Sequence, residues 1–159
     1  MSTYRPISAA IAVRDFLNAL PTPAVTYLAK AALTPLLDQK ELDEMQVRVT
    51  TRKRAMTTIS RRDQNDVMVV DIEITQHLPE SVDTTVDFGL WTTDDLAWIH
   101  ARFAVVDQMM DALTDGLNIS GGFMIVDSQN DPIYDEEKMR GNRLFASIIP
   151  VTVRTIVLR

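Results

Sequence analysis

The strongest pattern of hydrophobic and polar positions lies between residues 66 and 76, where the two kinds of side chain alternate. One side of this segment carries Met68, Val70, Ile72 and Ile74. Because successive side chains of a strand point to opposite faces, this side is expected to face a core. The other side, with Asp71 and Glu73, is expected to be partly in water. Such alternation is typical of an antiparallel or mixed sheet with one open face.

Two segments show the three- and four-residue spacing of amphipathic helices. The first is predicted over residues 7–20, with Ser8 as its N-cap. The second begins at Thr92 or Thr93 and runs to about Leu113. Its apolar stripe consists of Leu96, Ile99, Phe103, Val106, Met110 and Leu113. This longer helix is predicted to cover the sheet.

The remaining elements are shorter or less regular. Strands are predicted over residues 46–52, 123–126 and 144–158, and a brief helix over 134–140. An extended segment through Tyr27, a turn or short helix around 35–44, and a polar loop before Asp66 complete the prediction. Pro150 lies inside the last strand and cannot donate a ladder hydrogen bond, so that strand is expected to bulge there or to lie at an edge.

The order of elements predicts an α+β fold. It should contain a single antiparallel or mixed β-sheet, with the long amphipathic helix and the N-terminal helix packed on one face. The chain has 159 residues and shows no repeat or linker. Residues 1–159 are therefore expected to form one domain.

The formal net charge of -6 conceals an uneven distribution of charge along the chain. Residues 1–62 carry a net +5, residues 63–137 a net -16, and residues 138–159 a net +5. Folding either mixes these charges over the surface or leaves faces of opposite sign. Faces of opposite sign would steer copies of a protein toward one another.

Composition excludes several classes of protein. There is no cysteine, so disulfide scaffolds, thiolate metal sites and cysteine nucleophiles are excluded. The first residues lack a secretory signal, and the apolar runs are shorter than the roughly 18 residues of a membrane helix. These features favour a protein of the cytosol without membrane contact.

A group of six cations falls within fifteen residues, at the end of one predicted strand and in the following loop. They are Arg48, Arg52, Lys53, Arg54, Arg61 and Arg62. Three interpretations remain open: a solvated hairpin loop, an arm that reaches an acidic neighbouring subunit, and contact with nucleic-acid phosphates. No aromatic residue lies between positions 46 and 76, which argues against a platform for stacking single-stranded bases.

Asp71 and Glu73 share one face of a predicted strand and could form a carboxylate pair for a metal or for acid-base chemistry. With His77 they could serve a small metal-dependent enzyme, and a solvated strand face is the simpler interpretation. No nucleophile elbow or phosphate-binding loop is present in the sequence. The expectation is a protein without catalytic residues, metal or cofactor.

In the order of these elements the chain resembles the small tail-terminator or tail-completion proteins of long-tailed bacteriophages. The resemblance covers roughly residues 7–20 and 46–154. It is carried by Val47-Arg48-Val49, Ser60-Arg61, the strand from Val67 to Ile74, the helix from Leu96 to Leu113, Asp131-Pro132 with Tyr134, and Arg143 to Ser147 followed by Ile149, Val151 and Val153.

The resemblance implies a structural virion protein, assembled in the host cytoplasm and located at the head-proximal end of the tail. Such a protein forms a ring, hexameric in expectation, that ends polymerisation of the tail tube protein and joins the tail to a head connector or stopper protein. Contact with DNA in the lumen is a further expectation. Arg61 and Arg62 are expected to reach an acidic patch of a neighbouring subunit or to face that DNA. The site residues expected at a subunit interface or in the lumen are Arg48, Arg52, Lys53, Arg54, Arg61, Arg62, Asp71 and Glu73. Residues 21–37 could form an arm that packs on a neighbour. The alternatives are another neck protein, stopper or adaptor, and the metal-dependent enzyme.

Overall fold

The computed structural model describes residues 4–21, 23–33 and 39–158. Three α-helices and six strands are present among them, together with short 3₁₀ helices. The helices are α1 (Arg5–Asn18), α2 (Thr93–Ala112) and α3 (Glu136–Gly141). The strands are β1 (Ala29–Ala32), β2 (Gln46–Thr58), β3 (Asp63–His77), β4 (Asn118–Ile119), β5 (Phe123–Ser128) and β6 (Leu144–Leu158).

All six strands belong to one mixed sheet in the order β1-β2-β3-β6-β5-β4. The β1 strand is parallel to β2, and every other neighbouring pair is antiparallel. The predicted α+β fold with helices on a sheet is confirmed. No helix in the described ranges is long and apolar enough to cross a membrane.

The predicted alternation in β3 separates a core face from an outer face. On the core face, Met68, Val70, Ile72 and Ile74 are fully buried beside Val151 of β6 and Val49 of β2. Both α1 and α2 contribute buried residues to the same cluster, including Val13 and Met109. The outer face carries the odd-numbered residues of β3 and is described below.

The first helix begins earlier than predicted, and Ser8 is not its cap. The helix starts at Arg5, Tyr4 holds the N-cap position, and Pro6 lies in the first turn. Proline is favoured there because its missing N–H would have no partner in that turn. Ser8 lies inside the helix, where its hydroxyl donates to the Tyr4 carbonyl at 3.4 Å.

The α2 helix follows the prediction closely. Thr92 is its N-cap, and its hydroxyl oxygen accepts the N–H of Asp95 at 3.1 Å. Two aromatic side chains of α2, Trp98 and Phe103, meet the ring of Phe145 edge-on at centroid distances of 6.4 and 5.2 Å. These contacts fix α2 over the end of the sheet where β3 finishes and β6 begins.

The polar loop predicted before Asp66 is wrong. Here β2 continues to Thr58, β3 already starts at Asp63, and residues 59–62 form a short turn. The far end of β6 pairs beside this hairpin as far as the partners Asp63 and Leu158, so three strands support one another. We call residues 52–67 the hairpin arm. Its polar sequence gave no alternation because both faces of the arm are largely in water.

Pro150 was predicted at a bulge or an edge: β6 has no bulge there, but Pro150 lies at a local edge, because β5 pairs with β6 only from Val151 onward. This strand is paired with β3 along its whole length and with β5 from Val151 onward. The Pro150 carbonyl accepts the N–H of Gln129 at 3.1 Å, so the nitrogen of Pro150 also points toward the β5 side. Val151, the next residue, is the last one of β6 that pairs with β5. The missing N–H therefore falls where the ladder has already ended, and the irregularity lies in β5 instead.

The segment after α1 contains a strand that the sequence did not reveal. Only Ala29 to Ala32 pair with β2, and this short run of mostly alanines has no alternation to detect. A 3₁₀ helix spans Gln39–Asp43, within the predicted turn or short helix. The rest of the segment suggested as an arm includes residues 22 and 34–38, which lie outside the described residues.

We expect replacement of Phe145 by alanine to lower the free energy of unfolding by about 3 to 5 kcal/mol. Its ring is fully buried and is shared by two aromatic contacts from α2. Ile156→Ala is the control, because Ile156 is 60% exposed on the same strand. Urea denaturation measures both, and equal losses would contradict this account of the core.

Candidate functional site on the outer face and the hairpin arm

Four of the eight predicted site residues come together on the outer face of the sheet. In the β2–β3 register Arg48 lies opposite Glu73, and Asp71 is the next outer-face residue along β3. Arg52 reaches Asp71 with a separation of 3.5 Å between nitrogen and oxygen. The structure therefore places Arg48, Arg52, Asp71 and Glu73 in one group of alternating charges.

Each carboxylate and cation of this group has a partner. Arg48 pairs with Glu41 of the 3₁₀ helix at 3.2 Å, and Lys138 of α3 pairs with Glu73 at 2.7 Å. Lys138 is brought there by the short α3 helix, whose N-cap Asp135 accepts the Lys138 N–H at 3.0 Å. These pairs tie the 3₁₀ helix and α3 to the open side of the sheet.

Burial raises the pKa of Asp71 above its ordinary value, and the nearby charge of Glu73 adds to this effect. The charge and the hydrogen bond of Arg52 act in the opposite direction and are too weak to cancel it. The ionised form of Asp71 is therefore less favourable in the folded chain than in water.

The three residues considered for a metal-dependent enzyme do not form a joint site. Asp71 and Glu73 are each bound by a cation, and the His77 ring lies 3.2 Å from Asp43. In the described part of the chain, no group of three or more His, Asp or Glu side chains is arranged to hold a metal ion.

Arg54 was predicted in the loop after the first sheet strand, as a residue of a subunit interface or of the lumen, and it lies within β2 instead. The bulge between Thr51 and Lys53 turns Arg54 to the core face, opposite Met68. There its guanidinium binds Asp66 with two hydrogen bonds, of 3.0 and 2.7 Å. The Asp66 side chain is completely buried, and its hydrogen bond is the main reason why the pKa of Arg54 is raised.

Two residues of the N-terminal region also contact this ion pair. Arg5 of α1 lies 3.5 Å from the Asp66 carboxylate, and the Tyr4 ring lies 5.7 Å from the Arg54 guanidinium carbon. Both contacts tie the start of α1 to the base of the hairpin arm. Sequence analysis missed Asp66, although its even number places a carboxylate on the apolar side of β3, where it needs a partner.

The three remaining site residues are exposed on the arm. Lys53, Arg61 and Arg62 form no ion pair within the described residues. The turn that holds the two arginines is well defined, because the Ser60 hydroxyl accepts the N–H groups of Arg62 and Asp63, each at 3.1 Å. The tip is thus a hydrogen-bonded turn whose positive charges have no ion pair within the described residues.

Comparison with known proteins assigns no relative: no protein-family model matches this chain, and no curated protein matches its sequence.

Replacing Arg54 with methionine should lower the free energy of unfolding by about 3 to 5 kcal/mol, because it leaves the buried Asp66 charge without its main partner. Arg52→Met is the matched control two residues away. Arg52 is exposed and its pair is loose, so we expect a loss of at most about 1 kcal/mol. The measurement is urea denaturation of both variants.

A second substitution separates the ion pair from simple packing. The double variant Arg54→Met with Asp66→Leu should recover much of the lost stability, since no unpaired charge then remains in the core. If the double variant is as unstable as the sum of the two single variants, the two side chains are not coupled as described.

The raised pKa of Asp71 gives a dependence of stability on pH. Above the folded-state pKa the carboxylate is ionised in both states and disfavours folding, so Asp71→Asn should raise the urea midpoint at pH 7. The gain should disappear below about pH 3, where an aspartate of ordinary pKa is protonated in both states. The exposed Asp115→Asn is the control, and an equal gain there, or one that persists in acid, would contradict the assignment.

Proposed function

We propose that this chain is a structural protein of a long-tailed phage, forming a ring that terminates the tail tube and joins it to the head. The observation that carries the proposal is the placement of opposite charges at opposite ends of one long sheet. Residues 52–62 contain five cations and no acid, and Lys53, Arg61 and Arg62 among them form no ion pair within the described residues; residues 79–95 contain five acids, four of them exposed, and no base. Copies joined through such ends would pair unlike surfaces, which is what a ring requires.

The shape of the hairpin arm supports this role. The β1 strand pairs with β2 only through Thr50, so within the described residues the arm's outer strand has a neighbour on its β3 side alone. The three cations Lys53, Arg61 and Arg62 project from a backbone that is fixed by its own hydrogen bonds. A charged projection that is already closed by its own hydrogen bonds suits contact between subunits, because fewer such bonds have to form on binding.

The alternative functions would use the same charged residues in different contacts. Asp71 and Glu73 are already bound by Arg52 and Lys138, so the structure offers no support for the metal-dependent enzyme. Another neck protein, stopper or adaptor, would use the same kind of head-to-tail pairing and differs in what it binds. DNA in the lumen is a second partner for Arg61 and Arg62, and this contact would be independent of base sequence.

The proposal is tested by electron microscopy of the purified protein mixed with tail tubes from the same phage. A terminator should appear as a ring at one end of each tube and should stop further growth when tube protein is added. A stopper or adaptor should leave the growth of bare tubes unchanged. Absence of rings and of tube binding at every concentration would overturn the proposed function.

Charge reversal of the tip adds a matched comparison. Arg61→Glu with Arg62→Glu should abolish rings, while Arg14→Glu with Lys30→Glu changes two cations outside the arm and should leave them intact. Sedimentation measures the assembly of both. If the tip variant still assembles but packages or holds DNA less well, the two arginines face the lumen instead of a neighbouring subunit.

A further inference from the structure

The chain has an aromatic cavity of about 190 Å³ between α2, α3 and the loop before α2. Its walls include the rings of Phe88, Trp91, Phe103 and Tyr134. Phe88 and Tyr134 are 62% and 40% exposed, so apolar surface continues from the cavity to the outside. Apolar cavities of about 150 Å³ accept a group the size of benzene, and this one has room for an aliphatic side chain.

Acid-rich segments border the cavity. Five of its lining residues belong to two segments, residues 79–95 and 130–137, which together contain nine acids and no base; Glu136 is the acid among those five. Arg140 of α3 and His100 of α2 also line the cavity, and Arg140 is held by Glu136 at 3.0 Å. An occupant should therefore combine an apolar side chain with neighbouring positive charge.

The tip of the hairpin arm has this combination. Ile59 is 59% exposed at the start of the turn, and Arg61 and Arg62 follow it without an ion pair inside the described chain. The turn is ordered before any contact, since the N–H groups of Ile59 and Ser60 both donate to the Asp63 carbonyl, at 3.0 and 3.2 Å.

The tip cannot reach the cavity of its own chain. The Phe103 ring of the cavity meets Phe145 edge-on, and Phe145 pairs with Gln76 near the end of β3. The cavity therefore lies at that end of β3. The tip adjoins Asp63, at the other end. The fifteen residues of β3 separate these ends by about 46 Å, at about 3.3 Å per residue. Contact between the two features therefore requires a second copy.

We propose that the hairpin tip of one copy inserts Ile59 into the aromatic cavity of the next, with Arg61 and Arg62 against the acid-rich segments that border it. Because the two surfaces differ, the contact is head-to-tail and each copy still offers one free tip and one free cavity. Repetition gives a ring if the rotation closes. This inference rests on the proposed function and specifies the joint from which its ring is built.

Disulfide trapping tests the joint directly, because the natural chain has no cysteine. Ile59→Cys with Thr84→Cys places one thiol at the tip and one in the cavity wall. Oxidation should convert most of the protein into covalent oligomers larger than a dimer. A disulfide within one chain is excluded by distance, since bridged Cα atoms lie within about 7 Å.

The control pair is Ile156→Cys with Thr84→Cys. Ile156 lies on β6 beside the arm, opposite Asn65, and is 60% exposed. It therefore matches Ile59 in side chain and exposure but not in position. It should remain largely monomeric after oxidation. Equal trapping of both pairs, or no trapping of the Ile59 pair, would overturn the joint.

A mixing experiment tests its head-to-tail character. Ile59→Asp removes the apolar side chain of the tip, and Phe88→Ser removes one aromatic ring from the cavity wall. Both positions are exposed, and each substitution should weaken self-association about tenfold or more. Mixed together, the intact cavity of the first variant and the intact tip of the second should form 1:1 dimers that grow no further. Dimers absent from the mixture, or full assembly of either variant alone, would contradict the inference.

The joint and the proposed function fail in different ways. If the Ile59→Asp variant assembles unchanged and still caps tail tubes, the ring role is retained and this joint is overturned. Trapped oligomers that neither bind nor cap tail tubes retain the joint and overturn the role.

Discussion

Fifteen successive residue pairs join β3 to β6, from Asp63 with Leu158 to His77 with Leu144, and the other elements are arranged around this ladder. One face of it carries the core on which α1 and α2 pack, and the other carries the paired charges of β2, β3 and α3. Its length also separates the basic tip from the acidic loops. A shorter ladder would leave no projecting arm.

The ion pair between the half-buried Arg54 and the buried Asp66 makes the arm part of the folded body. It lies where the hydrophobic core ends and the polar arm begins, and Arg5 attaches α1 to the same carboxylate. A fully buried carboxylate is unfavourable unless its partners are held in place. The arm and the start of α1 are therefore expected to be ordered together, which is what a projecting contact surface needs.

The sequence predicted those parts in which one face is buried and the other is wet. Alternation located the centre of β3, and the apolar stripe with Thr92 located α2. The arm was missed because its residues are polar on both faces, and β1 because a four-residue run of mostly alanine has no period. Asp66 and the aromatic cavity depend on residues distant in the chain, which no local pattern brings together.

The fold separates the cations that are paired within the subunit from those that stay exposed. Several cations of the basic group are used within the subunit, with Arg48, Arg52 and Arg54 bound to Glu41, Asp71 and Asp66. Three others, Lys53, Arg61 and Arg62, stay exposed on the arm. The unpaired cations of this basic group thus lie on the arm, opposite the acidic loops, and this supports the proposed assembly of unlike ends.

Native mass spectrometry of the unmodified protein at low ionic strength tests this central claim most directly. The account predicts one closed oligomer, six copies in expectation, that dissociates to single chains as salt screens the charged ends. A monomer at every concentration would contradict it. So would a simple dimer that resists salt, because that species joins two like surfaces.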